Sequence, residues 1–188
     1  MKNFKYFFTI LFFLYSSIVE ASERWFLDKK LSTIEFEVPV LFAKNVQGNF
    51  KKIEGFIQLD FDNKLNNKAI FSVEINDLEM NYIKYKDLLL SSIFFDSLQF
   101  PKAVVDTKKF SYDNEEEIEL SVELTLKGKN EMVPIIIYIK RLSEELVQIK
   151  SELTFSRTSF AIGIGKWQNT SILRDKVKLK INLFLFRE

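Results

Sequence analysis

The sequence predicts an all-β domain with one short helix, built as an antiparallel closed barrel of about eight strands. Three observations predict it. Apolar residues recur at every second position in one segment after another, as strands with one buried face require. Short polar or glycine-containing turns separate these segments. One stretch, residues 82–98, abandons the alternation altogether. Eight strands is the size at which a closed barrel encloses one small ligand, although a two-sheet sandwich shows the same periodicity.

In chain order, the N-terminus reads as a secretion signal. Lys2 and Lys5 precede an apolar run from Tyr6 to Leu14, followed by Ser16, Ser17 and Val19-Glu20-Ala21. That order of basic, apolar and small residues predicts cleavage after Ala21. The run is shorter than the roughly 20 residues of a bilayer span, so a domain over 22–188, not membrane-spanning after cleavage, is expected in the periplasm or outside the cell. With no Cys in the chain, a lipid anchor on cysteine is excluded.

Alternation begins after Trp25. Ile34, Phe36, Val38 and Val40 share a face against Glu35 and Glu37, and Val46–Phe50 reads as a turn and return, with a bend at Gly55. Ile57, Leu59 and Phe61 form the next stripe, 62–67 a polar loop, and Phe71, Val73 and Ile75 a further stripe. Within 82–98, Tyr82, Tyr85 and Leu89, and likewise Tyr85, Leu89 and Ser92, fall at three-to-four spacing. This predicts a helix that ends before Pro101. Alternation resumes with Ala103, Val105 and Thr107, and an acidic turn follows over 112–117. Ile118, Leu120, Val122, Leu124 and Leu126 then face away from Glu119, Ser121 and Glu123. Val133, Ile135, Ile137 and Ile139 return after a turn at Gly128. Val147 to Phe155 and Val177 to Leu185 complete the set, the latter opposite Lys176, Lys178 and Lys180.

Composition excludes much chemistry. There is no His and no Cys, which removes thiol nucleophiles, imidazole bases and the usual zinc ligands; no cofactor, metal or enzymatic activity is expected. A net charge of +1 leaves no electrostatic case for nucleic acid. Phe160–Trp167, with Gly163 and Gly165, lacks the spacing of a phosphate loop and reads as a bend between strands. Glu115–Glu117 reads as a solvated turn.

Several ordered blocks together resemble the YceI-like family. They are Ser32–Val38, Val46–Phe50 with Glu54–Asp60, Leu89–Asp96 running into Phe100–Ala103, Leu124–Gly128 with Val133–Ile135, Ser156–Phe160 with Ile162-Gly163, and Asp175–Leu179. The resemblance spans nearly all of the mature chain. It implies a lipocalin-like barrel that binds polyisoprenoid or other long-chain amphiphiles, and it allows a homodimer. Where family members carry His in the first strand pair and in the helix, this chain reads Leu41-Phe42-Ala43-Lys44 and places Tyr85, Lys86, Leu88, Leu90 and Ile93 at the helical positions. That more apolar helix favours a drier pocket or a protein-contact face.

The expected function is an exported binding protein, carrier or sensor, for an isoprenoid, quinone-like or fatty-acyl lipid. Alternation nominates Phe36, Val38, Ile57, Leu59, Phe71 and Val73 as lining, together with Leu120, Val122, Ile135 and Ile137. Tyr82, Tyr85, Leu89 and Phe94 are expected at the mouth, the tyrosine hydroxyls holding a polar head. Two rivals stay open: a small outer-membrane barrel with its apolar face outward, and an enzyme acting on lipids through carboxylates such as Asp87 or Asp96.

Overall fold

The computed structural model describes residues 23–62, 64–113 and 117–187. The expected leader, 1–21, and most of the acidic turn, 114–116, lie outside the described residues.

Eleven strand segments form one antiparallel sheet: β1 (Glu23–Leu27), β2 (Thr33–Val38), β3 (Val46–Phe50), β4 (Ile53–Leu59), β5 (Asn67–Glu74), β6 (Leu78–Met80), β7 (Lys102–Phe110), β8 (Ile118–Leu126), β9 (Lys129–Arg141), β10 (Leu146–Ser156) and β11 (Lys176–Phe186). Eight of them close a ring in the order β1-β4-β5-β7-β8-β9-β10-β11, with β11 returning to β1 through Phe26 opposite Phe186. The other three are continuations. β2 carries β1 onward along β11, β3 runs into β4, and β6 extends β5. The barrel therefore has eight strands, three of them interrupted.

Two of the interruptions have a local cause. Between β1 and β2 the Asp28 carboxylate accepts the N–H groups of Lys30 (2.9 Å) and Leu31 (3.1 Å), an Asx-type turn that lifts the chain off the ladder. The ladder is patched on either side, as Asp28 N–H donates to the Phe184 carbonyl at 2.8 Å and Phe184 N–H donates to the buried Ser32 hydroxyl at 3.0 Å. Between β5 and β6 a 3-10 turn, Ile75–Asp77, inserts, with Ile75 N–H donating to the Pro101 carbonyl at 2.8 Å.

The helical expectation over 82–98 shrinks to a 3-10 turn, Ile83–Tyr85, and a single helix α1 (Lys86–Leu90). Residues from Ser91 to Gln99 form successive turns instead. Ser91 swings to ψ 169, and Phe95 and Ser97 donate back to the Leu89 and Leu90 carbonyls, both at 2.9 Å. These turn N–H groups satisfy the carbonyls that a continuing helix would have used. A helix this short does not persist alone; Leu88, Leu89 and Leu90 hold it by packing on the barrel core.

The apolar stripes point inward. Trp25, Leu59, Val122, Val147 and Leu185 are fully buried, while Glu119, Lys150, Glu152 and Lys180 are exposed. This polarity is opposite to that of a membrane barrel, whose outer belt is apolar. β9 departs from it, for Met132, Ile136 and Tyr138 lie exposed on its outer face beside Pro134.

Candidate functional site

The barrel is filled unevenly along its length. At one end Trp25 packs edge-on against Phe61, ring centroids 5.8 Å apart, and the buried Asn67 receives the Asp60 N–H (2.8 Å) and donates to the Phe110 carbonyl (3.3 Å). That end is a packed core. At the other, side chains of β2, β3, β5, β7, β8, β10 and β11 surround a cavity of about 430 Å³. Such a volume falls within the range of small-molecule sites.

Its walls are apolar. Phe36 and Val38 of β2, Phe71 and Val73 of β5, Val105 of β7, Leu124 and Leu126 of β8, Phe155 of β10 and Leu179 and Ile181 of β11 all face it. Phe36 lies across from Gly48. A Cβ at Gly48 would meet the Phe36 ring at 2.5 Å, so the missing side chain lets the ring lie flat against β3 as part of the wall. Opposite, Tyr82, Tyr85, Leu88, Leu89, Phe94 and Phe95 from the irregular segment cover the cavity.

Residues that line the cavity and also face solvent mark its opening: Ala43, Lys44, Lys84, Tyr85 and Ile172. The Tyr82 hydroxyl donates to the Lys44 carbonyl at 3.0 Å and so ties one side of the mouth to the next. That bond uses the hydroxyl proton and leaves the oxygen's lone pairs as acceptors. Tyr85, ring centroid 6.3 Å from that of Tyr82, keeps an exposed edge.

One charged group is buried in the wall. Arg157 is 1% exposed, at the inward position that follows Leu153 and Phe155 along β10. Its guanidinium donates to the carbonyls of Leu173 (2.7 Å), Ile162 (2.8 Å) and Arg174 (3.0 Å). Gly163 sits so close that an added Cβ would lie 2.7 Å from Nη1, and its φ of 75° is one that glycine adopts freely. Burial pulls the Arg157 pKa below the ordinary guanidinium value, opposed by the charge of Asp175; the group stays protonated at neutral pH. Asp175 itself is pushed up by burial, but hydrogen bonds from Ser156 and Thr158 and the Arg157 charge outweigh this and hold it below the usual aspartate value. Next to this cluster the indole N–H of Trp167 is buried without an acceptor among the described residues, and Trp167 packs edge-on against Phe94.

Of the fourteen nominated residues, Phe36, Val38, Phe71, Val73, Tyr82, Tyr85, Leu89 and Phe94 are brought together on the cavity. Ile57, Leu59, Leu120, Val122, Ile135 and Ile137 lie outside it, in the packed part of the barrel. Alternation separates inside from outside but carries no information about height along the barrel axis. Sequence reasoning missed Arg157 and Trp167. A charged residue at an inward-parity position was the available signal for Arg157. Ser92 is exposed and off the cavity, and neither Asp87 nor Asp96 lines it.

A family model described as YceI-like domain matches residues 25–185. Among solved structures, BcnA of Burkholderia cenocepacia is similar at 22% identity and TM-score 0.78, covering 84% of this chain and 98% of that one. A polyisoprenoid binding domain from Saccharophagus degradans, implicated in plant cell wall breakdown, matches at 15% identity and TM-score 0.72, covering 89% and 99%. The Campylobacter jejuni YCEI protein matches at 20% identity and TM-score 0.69, covering 80% and 90%. None of the curated proteins matches the sequence.

Proposed function

Because the chain belongs to the YceI-like family, we propose that it is an exported protein that holds one long-chain lipid, isoprenoid, quinone-like or fatty-acyl, in its barrel as a carrier or sensor. The observation that carries this reading is the 430 Å³ cavity with apolar walls and an open mouth. Each methylene moved from water into such a space contributes about 0.8 kcal/mol. Ten of them contribute about 8 kcal/mol gross, which exceeds the lower estimates for immobilising a ligand, about 4 kcal/mol.

Binding rather than catalysis is the better reading, because among the described residues the ionisable side chains on the cavity are Lys44, Lys84, Tyr82, Tyr85 and Arg157, none of them a carboxylate. Export follows from the basic, apolar and small-residue order of 1–21. A homodimer belongs to the same reading, and the exposed apolar stripe of β9 is the surface offered for it.

The experiment is direct. Purified protein is extracted with organic solvent and the extract analysed by mass spectrometry, with an apolar fluorescent dye titrated into the emptied protein. A stoichiometric amphiphile and saturable dye binding are expected. An empty protein that also excludes the dye would remove the reading.

A further inference from the structure

The rim of the cavity carries more apolar surface than a mouth needs. Phe42 is 99% exposed, Ile83 69% and Ile172 56%, with Leu41 beside them. Phe42 and Ile83 do not line the cavity. Phe42 also sits at φ 58°, a backbone conformation that bulky residues rarely adopt, so the chain is held in an unfavourable turn with the ring in water. The rim is preformed. Leu41 N–H donates to the Ile172 carbonyl at 2.9 Å, the Tyr82 hydroxyl to the Lys44 carbonyl at 3.0 Å, and the Asn81 amide to the Asn45 carbonyl at 2.8 Å. These bonds join three chain segments, 39–45, 81–86 and 163–174, around one opening.

Charge follows the same outline. The three segments contain Lys44, Lys84, Lys86, Lys166 and Arg174 and no acidic residue, in a chain whose net charge is +1. Among the described residues none of these five has an ion-pair partner. The nearest acids along the chain are Asp87 and Asp175, and counting both still leaves five cations against two carboxylates.

We propose that this rim docks on an anionic bilayer surface, with Phe42 and Ile83 inserted at the headgroup boundary and the lysines paired with lipid phosphates. Projecting apolar tips inside a basic ring are the combination that binds charged lipid interfaces. The cavity opens through the centre of the rim, so a docked protein takes up or delivers a chain without exposing its methylenes to water. The inference rests on the lipid-holding reading for its purpose, while docking itself is measured separately from cavity contents.

The test is flotation of the purified protein with vesicles of phosphatidylcholine alone and of phosphatidylcholine with phosphatidylglycerol. Binding to the anionic vesicles is expected, weakened by salt and much weaker on phosphatidylcholine. Phe42→Asn, which suits a left-handed backbone, combined with Ile83→Ser should reduce it by at least about tenfold. Lys86→Gln with Lys166→Gln should reduce it roughly thirtyfold. Mass spectrometry of each variant should find the same extractable lipid as in the parent. No binding to anionic vesicles, or binding unchanged in both variants, overturns the proposal. A dimer that Phe42→Asn converts to monomer in sedimentation velocity, without vesicle binding, overturns it in favour of a subunit interface. Lipid in a protein that ignores vesicles defeats the docking alone; vesicle binding by a protein without lipid leaves docking standing and defeats the lipid reading.

Discussion

Filling the cavity from within separates a hollow barrel from a packed one. Val105 faces the cavity and Val122 is fully buried away from it. Both are valines on adjacent strands, β7 and β8, and Phe suits strands about as well as Val. In Val122→Phe the added ring has no free space, and overpacking costs about 1–3 kcal/mol. In Val105→Phe the ring enters the 430 Å³ void. A cavity of about 150 Å³ accommodates a whole benzene, and Phe adds only four carbon atoms to Val, so the ring fits. Stability should change by less than about 1 kcal/mol in the emptied protein, because new dispersion contacts offset the lost rotamer freedom. The ligand, by contrast, loses room for about four methylenes, or about 3 kcal/mol of affinity, on the order of a hundredfold. Urea melts of the emptied proteins and dye titration give both numbers. If Val105→Phe destabilises as much as Val122→Phe, the void is filled in solution and the barrel is not hollow.

Four further outcomes follow. Leu89→Asp, at a half-buried position over the cavity, should lower lipid retention more than it lowers the thermal midpoint; global unfolding with no soluble protein would make the segment ordinary core. Arg157→Met leaves the carbonyls of Ile162, Leu173 and Arg174 without donors and should cost several kcal/mol. Arg157→Lys should recover only part of this in urea melts, since an ammonium cannot reproduce the fork. Asp175 has a folded pKa below its ordinary value, so its contribution is fully present above about pH 4 and is lost as pH falls through the folded pKa; acid melts of Asp175→Asn should show a weaker fall in that window. Lipid retention should be flat from pH 5 to 8, because the chain has no His and, among the described residues, no carboxylate lines the cavity, and a steep change with a neutral ligand would refute that.

Much of this protein is decided by a two-residue period. Side chains that alternate must be apolar on the face that loses water, so Ile118 to Leu126 and Val177 to Leu185 declare their strands and inward faces without reference to any neighbour. The absence of His and Cys likewise removes whole classes of chemistry at the level of composition. What alternation lacks is a coordinate along the barrel axis. Val73 and Ile57 carry the same signal, yet one meets the void and the other the packed core, because that difference depends on which strands face each other across the barrel. The same limit hid the interrupted strands, for the ladder resumes across the β1–β2 break through the Ser32–Phe184 bond and the turn between β5 and β6 is tied to Pro101 through Ile75. It also shortened the helix, since the turns after Ser91 gain their hydrogen bonds from one another and from Lys127, which donates to the Ser92 and Ala161 carbonyls at 2.7 and 2.9 Å. Local pattern sets which way a side chain points; only the closed tertiary structure sets what it meets there, because burial against a particular neighbour is a property of chain segments far apart in sequence.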